Sequence, residues 1–149
     1  MPIYLVTIVL LIIVDQAVKF TVVQNIALNQ VHSFIPGLLS LTNLRNDGAA
    51  WSILQGQQWF FTIISIVALV VLGYFLWRFR HQRMYAFSIS LILAGTIGNF
   101  VDRLRLGYVV DMFQLNFINF PIFNIADMCL TIGVIWLAIT VWKVGDLND

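Results

Sequence analysis

The chain has 149 residues, 60% of them apolar and only 10% charged, with a net charge of +1 and a mean hydropathy of +0.91. A soluble domain of this size carries roughly 25% charged residues, so an ordinary globular core is excluded, and the lack of any basic stripe excludes a nucleic-acid surface. Glutamate is absent, and the single cysteine, Cys129, has no partner for an internal disulfide and reads as a small hydrophobe in a packed helix.

Crossing a bilayer takes about 20 mainly apolar residues in a helix. The first such stretch runs from Ile3 to about Val23, with Asp15 and Lys19 in its second half. No basic residues precede it and no small-x-small cleavage site follows, so a retained helix is expected rather than a cleaved leader. Asp15 and Lys19 stand four apart on one helical face, acid first, the favoured order for an ion pair. Two readings stand: a local pair whose lysine snorkels outward, or a role in the substrate site, because charges within spans are functional by default.

After this span come Pro36-Gly37, then Leu38 to Arg45 with partial alternation, then Asn46-Asp47-Gly48 and the run Ala49 to Leu54. Pro-Gly punctuates the chain, and Asp-Gly between two strand-like runs signals a hairpin, so a small β-element is expected here. Trp59–Trp77 is an uncharged second span, and Met84–Val101 an uncharged third. Near the end of the third, Gly95, Asn99 and Arg103 recur every four residues and share a stripe; small and amide residues there suit close helix approach. Asp102 beside Arg103 reads either as half of a surface ion pair or as part of a shell around catalytic groups. Tyr108–Leu115 is apolar and reads as strand-like or interfacial. The fourth span, Ile122–Trp142, carries one charge, Asp127, expected one to two turns inside the outer boundary, with Asn124 and Thr131 on the same face. Pro121 suits the start of that helix.

Between the second and third spans lie Arg78, Arg80 and Arg83, a cluster that belongs in the cytoplasm. Four spans then place both termini in the cytoplasm, with Lys143 in agreement, and turn the segments around 25–58 and 102–121 outward. Trp59, Trp77, Tyr85, Trp136 and Trp142 fall where interfacial anchors are expected. The fold class is therefore all-α membrane: a single domain over 1–149, with spans about 3–23, 59–77, 84–101 and 122–142 and a small β-element in the outward loops. His32 and His81 fall on opposite sides, and no metal-binding cluster is evident.

Five blocks of residues, taken in order, resemble a known family. They are Asp15-Gln16-Ala17-Val18-Lys19, Asn46-Asp47-Gly48-Ala49-Ala50-Trp51-Ser52, Ala94 to Arg103, Gly107-Tyr108-Val109-Val110-Asp111 and Phe123-Asn124-Ile125-Ala126-Asp127. Together they are similar to the motif blocks of lipoprotein signal peptidase, the bacterial signal peptidase II family of aspartic membrane proteases. The resemblance implies an endopeptidase that removes signal peptides from diacylglyceryl-modified prolipoproteins, cutting on the amino side of the lipidated cysteine. It implies Asp111 and Asp127 as the catalytic dyad, Asn46, Gly48, Asn99, Arg103 and Asn124 as positioning residues, and Asp15 and Lys19 as the first-helix motif. It further implies no cofactor, a monomer among membrane lipids, and an active site at the outer face of the bacterial cell membrane. Met112, Trp51 and Met128 depart from common family residues without touching the acids. Two other classes fit the buried charges alone: a small ion or solute transporter relaying through Asp15, Lys19 and Asp127, and a non-catalytic assembly factor whose polar residues join helices.

Overall fold

The computed structural model describes residues 1–48 and 56–145. Its four long helices are α1 (Pro2–Asn25), α2 (Gln58–Arg78), α3 (Arg83–Leu106) and α4 (Ile125–Gly145), each apolar and long enough to cross a membrane. Three strands, β1 (Val31–Ile35), β2 (Leu39–Asn46) and β3 (Val109–Leu115), form one antiparallel sheet in the order β1-β2-β3. The expected second arm of a hairpin at Asp47-Gly48, Ala49 to Leu54, lies outside the described residues. The observed hairpin turns one step earlier, at Pro36-Gly37. Gly37 sits at φ +73°, a left-handed conformation that side-chain-free glycine adopts without steric cost.

α3 is the hub, packing against α1, α2 and α4. Its buried face carries small residues that bring α4 close: a Cβ on Gly95 would collide with the Ala126 carbonyl, and one on Gly98 would sit 3.1 Å from the Ala126 Cβ. The other three helices show long apolar side chains outward, among them Trp59, Trp77 and Trp142, as lipid-facing helices should. Connectivity puts the sheet, the end of α3 and the start of α4 at one end of the bundle. The Arg78–Arg83 turn lies at the other, with residues 1 and 145.

Two boundaries differ from the sequence expectation, and both matter. α3 continues to Leu106, so Asp102 and Arg103 are helical; Gly107 at φ +78° closes it, its N–H returning to the Arg103 carbonyl. α4 starts at Ile125 rather than near Ile122. Pro121 therefore precedes the helix by a short extended stretch, in which Phe123 pairs with Phe113. The helix is started instead by Asn124. Its Oδ1 accepts the Asp127 N–H at 2.9 Å, while Asp127 Oδ2 accepts the Asn124 N–H at 3.1 Å, a reciprocal capping box with aspartate in the third helical position. Asp127 thus lies in the first turn of α4.

Candidate active site

The sheet delivers Asp111 to the bundle. Val109, Asp111 and Leu115 share one face of β3 and line a cavity of about 710 Å³, while Val110 and Met112 face the opposite way and pack on Val22 of α1 and on Ile26 just past its end. This is the two-residue alternation of a strand. Asn46 on β2 is opposite Val109, so it is the diagonal neighbour of Asp111 on the same face. Its Nδ2 donates to Asp111 Oδ2 at 2.8 Å.

Asp127 enters the same cavity from the first turn of α4. Asn124 joins the two acids. Its Nδ2 donates to Asp111 Oδ1 at 2.7 Å, and its backbone N–H and Oδ1 make the cap with Asp127. Asn99 of α3 donates from Nδ2 to Asp127 Oδ1 at 2.8 Å. Every carboxylate oxygen of Asp111 and Asp127 therefore accepts a hydrogen bond from an asparagine, and the two groups are held rather than free to rotate. Burial drives the Asp111 carboxyl up to about 7, with the nearby Asp127 charge pushing the same way; the bonds from Asn46 and Asn124 and the Lys19 charge oppose it.

Asn46, Gly48, Asn99 and Arg103 line the cavity with the two aspartates, and Asn124 is buried behind them. Arg103 lies with its guanidinium 4.8 Å over the Phe61 ring, a cation–π contact, and among the described residues it forms no ion pair. Phe61 is unmarked in the sequence because an aromatic near the end of an uncharged span carries no distinguishing signal. The remaining walls are mostly apolar and come from α2, α3, α4 and the stretch 120–123, including Ile64, Ala68, Leu130 and Ile132, with the hydroxyls of Ser65, Thr96 and Thr131 among them.

Asp15 and Lys19 do not line the cavity. They form the expected four-apart pair at 2.9 Å, yet Lys19 is only 3% exposed and points inward, which overturns the outward snorkel. The reason is Asp102, equally buried, whose Oδ2 lies 2.8 Å from the Lys19 ammonium. Asp102 is therefore not the surface partner of Arg103. Among the described residues, no group of three or more histidine, cysteine or acidic side chains is placed to hold a metal ion.

The chain matches the family described as signal peptidase (SPase) II over residues 7–143. It is 62% identical over 143 residues to the lipoprotein signal peptidase of Lactiplantibacillus plantarum, covering 96% of each chain. It is 50% identical to the lipoprotein signal peptidase of Latilactobacillus sakei, covering 95% of this chain and 94% of the other. A bacterial membrane enzyme solved by the in meso method at 2.3 Å superposes with a TM-score of 0.95 at 38% identity, covering 100% of this chain and 93% of that one. A second such enzyme, at 1.9 Å, gives 0.89 at 40% identity, covering 96% and 94%.

Proposed function

The chain belongs to the signal peptidase II family, and from that premise we propose that it is a membrane aspartic endopeptidase that frees diacylglyceryl-modified prolipoproteins from their signal peptides. The cut falls on the amino side of the lipidated cysteine, and Asp111 and Asp127 are the catalytic dyad. The observation that carries this reading is the convergence of the two carboxylates on one cavity, each oxygen held by an asparagine.

Two carboxyls this close in a buried site share one proton at neutral pH. The ionised member takes a proton from a water lying between them, and the water oxygen attacks the scissile carbonyl carbon. The protonated member hydrogen-bonds the developing oxyanion. Collapse of the tetrahedral intermediate breaks the C–N bond, a proton passes to the leaving amine, and the products are the signal-peptide carboxylate and the free amine of the lipidated cysteine. Asn46, Asn99 and Asn124 keep the carboxylates aimed, and Arg103 and the Gly48 backbone position the peptide.

The apolar walls between α2 and α4 suit a substrate that is itself a spanning helix with a lipid anchor, arriving sideways through the bilayer. The arginine-rich turn at the far end of the bundle favours a cytoplasmic placement for that end and for both termini, and so an outer-face position for the dyad. The enzyme acts as a single-domain monomer.

Asp111→Asn and Asp127→Asn, purified and offered a lipidated precursor, should each lose cleavage by a factor on the order of 10²–10⁴ or below detection, while still inserting and folding. An unlipidated precursor should be cut poorly by the wild type. Wild-type turnover by either aspartate variant removes the dyad reading.

A further inference from the structure

α1 contributes no side chain to the cavity, yet it buries an acid and a lysine directly behind it. The Lys19 ammonium has three N–H donors and three partners: Asp15 Oδ2 at 2.9 Å, Asp102 Oδ2 at 2.8 Å and Asn99 Oδ1 at 3.2 Å. Each of these partners reaches the catalytic acids in turn. Asp15 Oδ1 accepts the backbone N–H of Ala126 at 2.9 Å, and Ala126 immediately precedes Asp127. Asp102 Oδ2 accepts the backbone N–H of Val110 at 3.1 Å, and Val110 immediately precedes Asp111. One carboxylate thus grips the main chain beside each member of the dyad, and one ammonium joins the two grips.

The third contact fixes an orientation. Lysine can only donate, so the Asn99 atom facing it must be the carbonyl oxygen. The Asn99 amide nitrogen is then forced toward Asp127, where it donates at 2.8 Å. The same Asn99 oxygen also accepts from Asn124 Nδ2 at 3.1 Å, and that nitrogen serves Asp111. Without the ammonium, the Asn99 oxygen keeps only its contact with Asn124, so its orientation is less firmly set, and Asp15 and Asp102 are left as two buried like charges that repel.

We propose that Lys19 is a positioning residue for the reaction, setting the separation and orientation of Asp111 and Asp127 through Asp15, Asp102 and Asn99 without touching substrate. The proposal rests on Asp111 and Asp127 being the dyad. Gly98 belongs to the same device: a Cβ there would lie 2.8 Å from Asp15 Oδ2, so only glycine lets that carboxylate reach across α3 to the start of α4.

The test is cleavage of a lipidated precursor by purified Lys19→Met enzyme, with kcat and KM separated and folding followed by thermal melting. Positioning predicts a kcat lowered on the order of 10²-fold, the scale for small misplacement of reacting groups, with KM within about threefold because the substrate walls are untouched. Should Lys19→Met yield no folded enzyme, the same measurement on the double variant Asp15→Asn/Lys19→Met decides. In that variant the amide oxygen replacing the Asp15 carboxylate still accepts the Ala126 N–H, and Asp102 is left as a single buried charge with no like charge facing it. Asn99 has nonetheless lost its ammonium, so kcat should remain at least about tenfold down. A folded variant with kcat within about threefold of wild type overturns the proposal. Asp111→Asn and Asp127→Asn, assayed in parallel, separate the two failures: if they are inactive while Lys19→Met is normal, only the positioning role falls; if they are active, the dyad falls first.

Discussion

Asp111 illustrates how a carboxyl is tuned by what surrounds it. Burial and the neighbouring charge favour its protonated form and hold it up to about 7. For the proposed dyad the sign follows: a pair that must keep one proton keeps it below that value and loses it above, so kcat should decline on the alkaline side with a midpoint near neutrality. Asn46 donates to the ionised form, and its removal favours protonation further. Asn46→Ala should therefore move the alkaline limb upward by about one pH unit, the size of one charge-assisted hydrogen bond, with kcat lowered about tenfold; a pH–rate profile reads both. A downward shift would mean that Asn46 does not act on Asp111. At this scale the residue types are plain in the sequence and their partners are not. The Asp15–Lys19 pair follows from four-residue spacing, but Lys19 meets Asn99 across 80 positions, and no local pattern announces such a contact. Asn124 is marked by the family resemblance, while its role as a helix cap is hidden because the box closes with aspartate where glutamate or glutamine is the usual sign.

Among the elements, the four helices are legible because uninterrupted apolar length is a strong signal. β2 shows partial alternation and is expected as extended, whereas β3 is a short apolar run that reads as strand-like or interfacial. β1 gives no such signal: all five of its residues are exposed, so there is no buried face to imprint a period. The boundary of α4 is misplaced by the sequence because proline marks the first turn of many helices, whereas here Pro121 sits in an extended stretch that pairs with β3. The α3–α4 seam yields a direct comparison. Gly95→Ala would force its Cβ against the Ala126 carbonyl and Leu130, and overpacking of this kind costs about 1–3 kcal/mol. Gly73 on α2 has nothing within 4 Å, so Gly73→Ala should be neutral or slightly stabilising through helix propensity. Thermal melting of the two variants side by side should show a clear drop for the first alone, and equal melting would mean that α3 and α4 are not packed this closely.

For the whole molecule, the proposed orientation has a simple readout. The sole native cysteine, Cys129, is buried, so introduced cysteines can be labelled selectively. Ser33 on β1 and His81 in the arginine-rich turn are both exposed and lie at opposite ends of the bundle. A membrane-impermeant maleimide applied to intact cells should label Ser33→Cys and leave His81→Cys unlabelled until the membrane is permeabilised; the reverse pattern would invert the topology. The division of labour is equally global. α2 and α4 form the walls of the cavity, α3 and the sheet carry most of its polar groups, and α1 stands behind.

That placement of α1 has a consequence for how the protein is made. Lys19 leaves the ribosome 80 residues ahead of Asn99, and Asp102 follows later still. When α1 first enters the bilayer, the only countercharge available to Lys19 is Asp15, one helical turn away. The four-residue pair therefore acts first as a travelling neutraliser that lets a charged helix settle in lipid. Arrival of α3 converts it into an anchor shared by two segments, and α4 completes the assembly when Ala126 docks on Asp15. The cavity's chemistry is in this sense the last thing to be built, and it is built on a charge pair that was laid down at the start.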